Sequence, residues 1–137
     1  MERTAAMSHD DPQGGCVRSA GLASIAVDHA RLSYEYLDAG DIDAYASLFE
    51  KDVVLSRPGL TVRGRTELER FQEERAGRCH HTVSTVIAST EHIAVVGRRT
   101  RRPDEPGEGP LEFADVFTLS GSGLFSAQQT FYFIAPG

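Results

Sequence analysis

The sequence has no tryptophan, only two cysteines, and no apolar run near the ~20 residues that a membrane-spanning helix needs. Its opening stretch, MERTAAMSHDDPQGGCVRS, lacks the apolar centre of a secretory signal, so a cytoplasmic location is the expectation. Cys16 and Cys79, in an expected tail and an expected loop, do not have CxxC spacing and read as free thiols in a reducing compartment. The histidines show no HxxxH, and residues 30–79 separate His29 from His80, so no metal site is expected. P-loop, GxGxxG and GxSxG motifs are missing, which sets aside phosphate-cradling enzymes and serine hydrolases. A basic field is missing too. The net charge is −6, and the one arginine cluster, Arg98, Arg99, Arg101 and Arg102, is followed by Asp104, Glu105 and Glu108. That cluster reads as a solvated strand end, with neither nucleic acid nor a membrane as partner.

The 137 residues suffice for one domain, and 40% hydrophobic against 25% charged residues is a globular balance. Residues 1–18 mix Gly, Pro, Asp and Gln without period and read as a disordered tail, leaving 19–137 as the single domain. Leu22, Ile25, His29, Leu32 and Tyr36 recur at spacings of three and four, the apolar stripe of a helix that starts near Ser19 or Ser24 and stops at Gly40. Asp41 is placed to cap a short second helix over 42–49 that turns Tyr45 inward. Two short strand arms flank Pro58-Gly59, and Thr66-Glu67-Leu68-Glu69 has the capping-box pattern for a third helix ending at Gly77. The segments 80–88, 92–100, 111–119 and 124–134 are enriched in β-branched and aromatic residues and read as strands of an antiparallel meander. The expected fold is therefore α+β, a curved antiparallel sheet wrapped around N-terminal helices so that a cone-shaped interior forms.

Alternation finds what points inward. Along Leu111 to Leu119 the shared face reads Leu, Phe113, Asp115, Phe117, Leu, with one carboxyl in an apolar row. Such a group is paired, hydrogen-bonded or held protonated, and a protonated carboxyl near neutral pH is what a general acid requires. Alternatively Asp115 pairs with a buried arginine, or the strand is flipped. Of the neighbouring His80 and His81, His81 shares its face with Val83, Thr85 and Ile87, the more apolar set, and is the expected interior ring. Tyr36 and Tyr45 are either pocket residues or simply large core residues. Asp38 ends helix 1, where the macrodipole disfavours a negative charge, and protonated His81 would suit it as partner. Gln128, Thr130 and Tyr132 line either the cone or an outer interface.

The run from Tyr34 through Tyr45, then Leu48-Phe-Glu-Lys-Asp-Val, Pro58-Gly and Gly64-Arg-Thr-Glu-Leu, resembles the SnoaL-like branch of the NTF2-like (cystatin-like cone) superfamily. The later strands fit the same layout, so the resemblance covers about residues 20–135. It implies a cone that hosts cyclases, dehydratases, isomerases, epoxide hydrolases and non-catalytic binders. Asp115 is similar to the oxyanion-hole acid of ketosteroid-isomerase-like members. Their helix-1 tyrosine falls near Ser33, however, and their base near Arg57. An Arg-x-Asp pair of the epoxide-hydrolase kind is broken by Phe113. Asp38 and His81 resemble the aspartate–histidine pair of scytalone-dehydratase-like members.

The resemblance implies a cofactor-independent cyclase, dehydratase or isomerase acting on a hydrophobic polyketide-like molecule in secondary metabolism. Asp115, His81 and Asp38 would be catalytic, with Tyr36, Tyr45, Arg57, Phe113, Phe117 and Gln128 around the substrate. A homodimer through the outer sheet face is implied as well. The alternatives are a non-catalytic small-molecule-binding or dimerisation module, marked by an Asp115–arginine pair, and an epoxide-opening enzyme.

Overall fold

A computed structural model of the chain describes residues 12–104 and 109–133. Helix α1 spans Pro12–Ala39, α2 Ile42–Ala46 and α3 Arg65–Glu73. The strands are β1 (Phe49–Arg57), β2 (Leu60–Arg63), β3 (Cys79–Ala88), β4 (His92–Arg101), β5 (Leu111–Leu119) and β6 (Phe125–Phe133). They make one six-stranded sheet in the order β2-β1-β6-β5-β4-β3. The expected α+β arrangement is the one found, with helices first and β3 to β6 as a meander of antiparallel neighbours. One pairing differs from the expected antiparallel sheet. β1 lies parallel to β6, so the earliest long strand and the last one join the two halves of the sheet.

Helix α1 begins at Pro12, ahead of the expected start, and Cys16 falls inside it. Proline suits a first helical position because its missing N–H has no partner to lose there. The rest of the expected tail, 1–11, lies outside the described residues. At the other end Gly40 takes φ 77°. Its N–H donates to Leu37 O at 3.1 Å, and Asp41 N–H donates to Tyr36 O at 2.8 Å, the paired bonds of a Schellman ending. Asp41 Oδ1 then accepts from Ala44 N–H at 3.2 Å and caps α2, as its side chain predicts. The expected capping box on α3 does not form. The cap position is Gly64, at φ 89°, which offers no side chain. Gly64 N–H is tied to Val53 O at 2.7 Å and its carbonyl receives Leu68 N–H at 2.9 Å, so the helix starts before Thr66 can cap it.

β3 and β4 carry a bulge. Val83 pairs with Gly97 and Thr85 with Val96, which leaves Ser84 as the extra residue. Alternation reverses there: His81 and Val83 keep the inner face, Val86 replaces Thr85 on it, and Ile87 is 63% exposed. Gly97 makes the neighbouring packing feasible. A Cβ at that position would sit 2.5 Å from Thr82 O and 3.1 Å from the Phe113 ring. A strand backbone moves only at a cost, so Gly97→Ala is expected to destabilise the fold by about 1–3 kcal/mol, measured by urea denaturation. Wild-type stability in that variant would mean the strands have room to part.

The core under the sheet is an aromatic row. Tyr45 and Phe49 lie 4.9 Å apart between ring centroids, Phe49 and Phe125 5.8 Å, and Phe117 and Phe125 4.7 Å. Offset and tilted rings of this kind add to the hydrophobic gain of their burial.

Candidate functional site

β5 carries Phe113, Asp115 and Phe117 on its buried face, as alternation predicts. Asp115 stands opposite Thr130 in the β5–β6 ladder. Thr130 Oγ1 donates to Asp115 Oδ1, and the hydroxyl of Tyr34, from α1, donates to Oδ2 at 2.6 Å. The carboxyl is 4% exposed and has both oxygens occupied by hydroxyl donors. No arginine pairs with it among the described residues. Burial first, and then the charge and hydrogen bond of Asp115, holds the Tyr34 hydroxyl well above the usual phenol range, so it stays a proton donor.

A second polar pair lies beside the first. Asp38, at the end of α1, accepts His81 Nδ1–H on Oδ1 at 2.5 Å and the His81 backbone N–H on Oδ2 at 2.8 Å. His80 Nδ1 comes within 3.4 Å of the same carboxylate but is mostly exposed. Holding the proton on Nδ1 leaves Nε2 as the accepting nitrogen of the His81 ring. The two pairs touch through their rings. Tyr34 and His81 centroids are 5.3 Å apart, and Phe113 packs on both at 5.6 and 5.8 Å.

Both pairs open on one cavity of about 560 Å³ between the inner sheet face, α1 and α3. Leu55, Phe71, Phe113 and Tyr132 give it apolar walls, and Gln128 and Thr130 face it from β6. Asp115, His81, Asp38, Arg57, Phe113 and Gln128 line it as anticipated. Three expected residues do not. Tyr45 is buried in the aromatic row, where its hydroxyl accepts from Gln72 Nε2 at 3.1 Å. Phe117 is fully buried behind the cavity wall. Tyr36 lies half-buried on the flank of α1, because that helix meets the sheet through Ala26, Ala30, Ser33 and Tyr34 instead.

The arginine cluster is also more than a solvated strand end. Arg98 pairs with Glu112 at 3.3 Å on the outside, whereas Arg99 and Arg101 line the cavity. Arg102 Nη2 donates to the Asp38 carbonyl at 2.9 Å. Asp104 is exposed, and Glu105 and Glu108 lie outside the described residues. Cys79, expected in a loop, opens β3 as a free thiol on the cavity wall. Among the described residues, no three His, Cys, Asp or Glu side chains converge as a metal site requires, and no helix is long and apolar enough to cross a membrane.

A helix-covered sheet enclosing a mixed polar and apolar cavity defines an NTF2-like, cystatin-like domain. The chain belongs to the SnoaL-like family: a profile described as a SnoaL-like domain matches residues 30–126. No curated protein matches it. Among solved structures it is similar to a candidate ketosteroid isomerase from Kribbella flavida, at 24% identity and TM-score 0.72 over 84% of this chain and 82% of that one. It is similar also to RV0760c from Mycobacterium tuberculosis, solved with estradiol-17β-hemisuccinate, at 15% identity and TM-score 0.70 over 80% and 95%. Bal32a, from a soil-derived mobile gene cassette, aligns at 18% identity and TM-score 0.70 over 82% and 92%. At these identities the likeness establishes the fold.

Proposed function

We propose that the protein is a cofactor-independent acid/base enzyme that moves a proton at the carbon beside a carbonyl of a hydrophobic, polyketide-like molecule. That step begins dehydration, isomerisation and aldol-type ring closure alike. The observation that carries this reading is that two oriented polar pairs, Asp38–His81 and Asp115–Tyr34, touch through their rings beside one cavity. His81 Nε2 takes the proton, and Asp38 balances the charge that the ring gains. The substrate oxygen takes over the single Tyr34 O–H, which turns from Asp115 Oδ2 to it as negative charge develops there, while Thr130 keeps its bond to Asp115. Gln128 Oε1, buried without a hydrogen-bond partner among the described residues, would accept from a substrate hydroxyl. The binding-module alternative rested on an Asp115–arginine pair, whereas the partners of Asp115 are Tyr34 and Thr130.

The test is wash-out of α-protons from a panel of cyclic and polyketide-like ketones in D₂O, followed by NMR. Wild-type protein should accelerate exchange, and His81→Gln and Tyr34→Phe should each lower the acceleration by about 10²–10⁴-fold. Equal exchange by wild type and both variants would end the enzymatic reading.

We propose further that the protein forms the homodimer that the family resemblance implies, through the outer sheet face. Phe131 and Phe133 are about half exposed there, and β5 and β4 contribute half-buried Ala114, Val116 and Val96 alongside. Phe131→Glu is expected to convert a dimer to a monomer in sedimentation. A monomeric wild-type protein would remove this part of the proposal.

A further inference from the structure

The cavity carries an excess of positive charge in a chain whose net charge is −6. Three guanidiniums are strung along two rings of its wall. The Arg75 Cζ lies 3.9 Å from the Phe71 centroid, and Arg57 is 5.5 Å from the same ring. Arg57 is also 5.5 Å from the Tyr132 centroid, on whose other contact Arg99 sits at 5.6 Å. Arg57 Nη2 donates to the Tyr132 hydroxyl, so the ladder is bonded as well as stacked. Among the described residues no carboxylate comes within 4.0 Å of Arg57 or Arg99, and Arg75 meets only the exposed Glu74, at 3.8 Å. Burial, and then the nearby Arg99 and Arg75, pushes the Arg57 guanidinium below its usual range, which marks a shortage of counter-charge there. The two acids deeper in the cavity have their own partners, Tyr34 with Thr130 for Asp115 and His81 for Asp38.

We infer that Arg57 and Arg99, backed by Arg75, form an anion-recognition subsite that holds an oxyanion group of the substrate, a carboxylate or a phosphate ester. The subsite rests on the proposed reading of this cavity as a substrate site and specifies the substrate class: a hydrophobic carbonyl compound with an anionic arm. Guanidinium forks match both oxyanions in two-point contact, and stacking on Phe71 and Tyr132 fixes the forks before binding. The arm and the reacting carbonyl would lie at different stations of one cavity, so binding of the arm orients the carbon beside His81.

Calorimetric titration of the full chain with 1-naphthylacetate, its methyl ester and 1-naphthyl phosphate tests the subsite. Arginine Nε–Hε resonances are followed in the same titrations. The carboxylate is expected to bind at least about tenfold more tightly than the ester, and high salt should erase most of that margin. Arg57→Gln and Arg99→Gln should each remove most of the margin and leave the ester affinity in place. Tighter binding of the phosphate than of the carboxylate supports the subsite and makes the arm a phosphate ester. Equal binding of ester and carboxylate, a margin that survives both substitutions, or Arg57 and Arg99 resonances unmoved by either anion overturns it. Ketone α-proton exchange reads His81 and Tyr34 independently, so loss of the catalytic reading and loss of the anion subsite give different results.

Discussion

Asp38→Asn is expected to lower ketone α-proton exchange by about 10²–10⁴-fold while ligand affinity stays within a few-fold. Asp38 ends α1, where aligned backbone carbonyls disfavour a carboxylate, yet three contacts make it a fixed support. It receives the His81 ring at 2.5 Å and the His81 backbone N–H at 2.8 Å, and its own carbonyl is held by Arg102. An asparagine preserves the shape but removes the charge that steadies a protonated imidazole. It can also present its NH₂ to Nδ1 and so favour the wrong tautomer. In the proposed mechanism Asp38 therefore acts through His81, as a positioning residue. The ¹⁵N spectrum of His81 separates this from loss of folding: wild type should show the Nδ1–H tautomer, and the variant a mixture. A variant that keeps about half the wild-type rate would remove Asp38 as the positioning residue of His81.

Above about pH 10 the folded state is expected to lose some 1.4 kcal/mol of stability per pH unit for each of Tyr34 and Tyr45, about 2.8 together. Burial raises both hydroxyls above the ordinary phenol value of about 10, and for Tyr34 Asp115 adds to the shift. An unfolded tyrosine releases its proton near pH 10, whereas these two keep theirs. In that window the unfolded chain binds fewer protons than the folded one, so stability falls as pH rises. Their contribution is intact below pH 10 and is lost progressively toward the raised folded values. Urea midpoints between pH 9 and 11 measure the slope. Tyr34→Phe and Tyr45→Phe should each flatten it by about one proton's worth, whatever each substitution does to the baseline. A slope that is flat in wild type would mean both hydroxyls reach solvent.

The strand side of the site was legible because alternation is a strict period. Asp115 between Phe113 and Phe117 was expected on the inner face, whereas alternation left Thr130 open between the cone and an outer interface, and only its pairing opposite Asp115 turns it inward. The helix side was harder to read. Leu22, Ile25, His29, Leu32 and Tyr36 make a stripe at helical spacing, but Ala26, Ala30, Ser33 and Leu37 make another on the adjoining face. The sheet approaches the small residues, which lets the backbones come close, and carries Tyr34 inward while Ile25 stays half exposed. Large apolar side chains therefore marked the wrong edge of α1 and hid the tyrosine that bonds Asp115. His81 was placed correctly and Ile87 was not, because the bulge at Ser84 lies between them and a bulge leaves little trace in composition. The arginines of β4 looked neutralised along the chain. The wall that Arg99 and Arg101 share with Arg57 and Arg75 exists only once β4 is laid across from β1 and α3.

The parallel pairing of β1 with β6 makes the domain a late-closing fold. Tyr34 and Asp115 are 81 residues apart, and Thr130 comes from the strand that seats itself beside β1 last in chain order. A nascent chain can form α1, α2 and the β1–β2 hairpin early, but β1 then keeps one edge open until β6 has been synthesised. Loop closure over such distances is slow, and an open apolar edge invites pairing with other chains in the interval. The cavity and the intact sheet thus arrive together. A molecule truncated before β6 would lack Thr130, Gln128 and Tyr132, and with them both the seam of the sheet and one wall of the cavity.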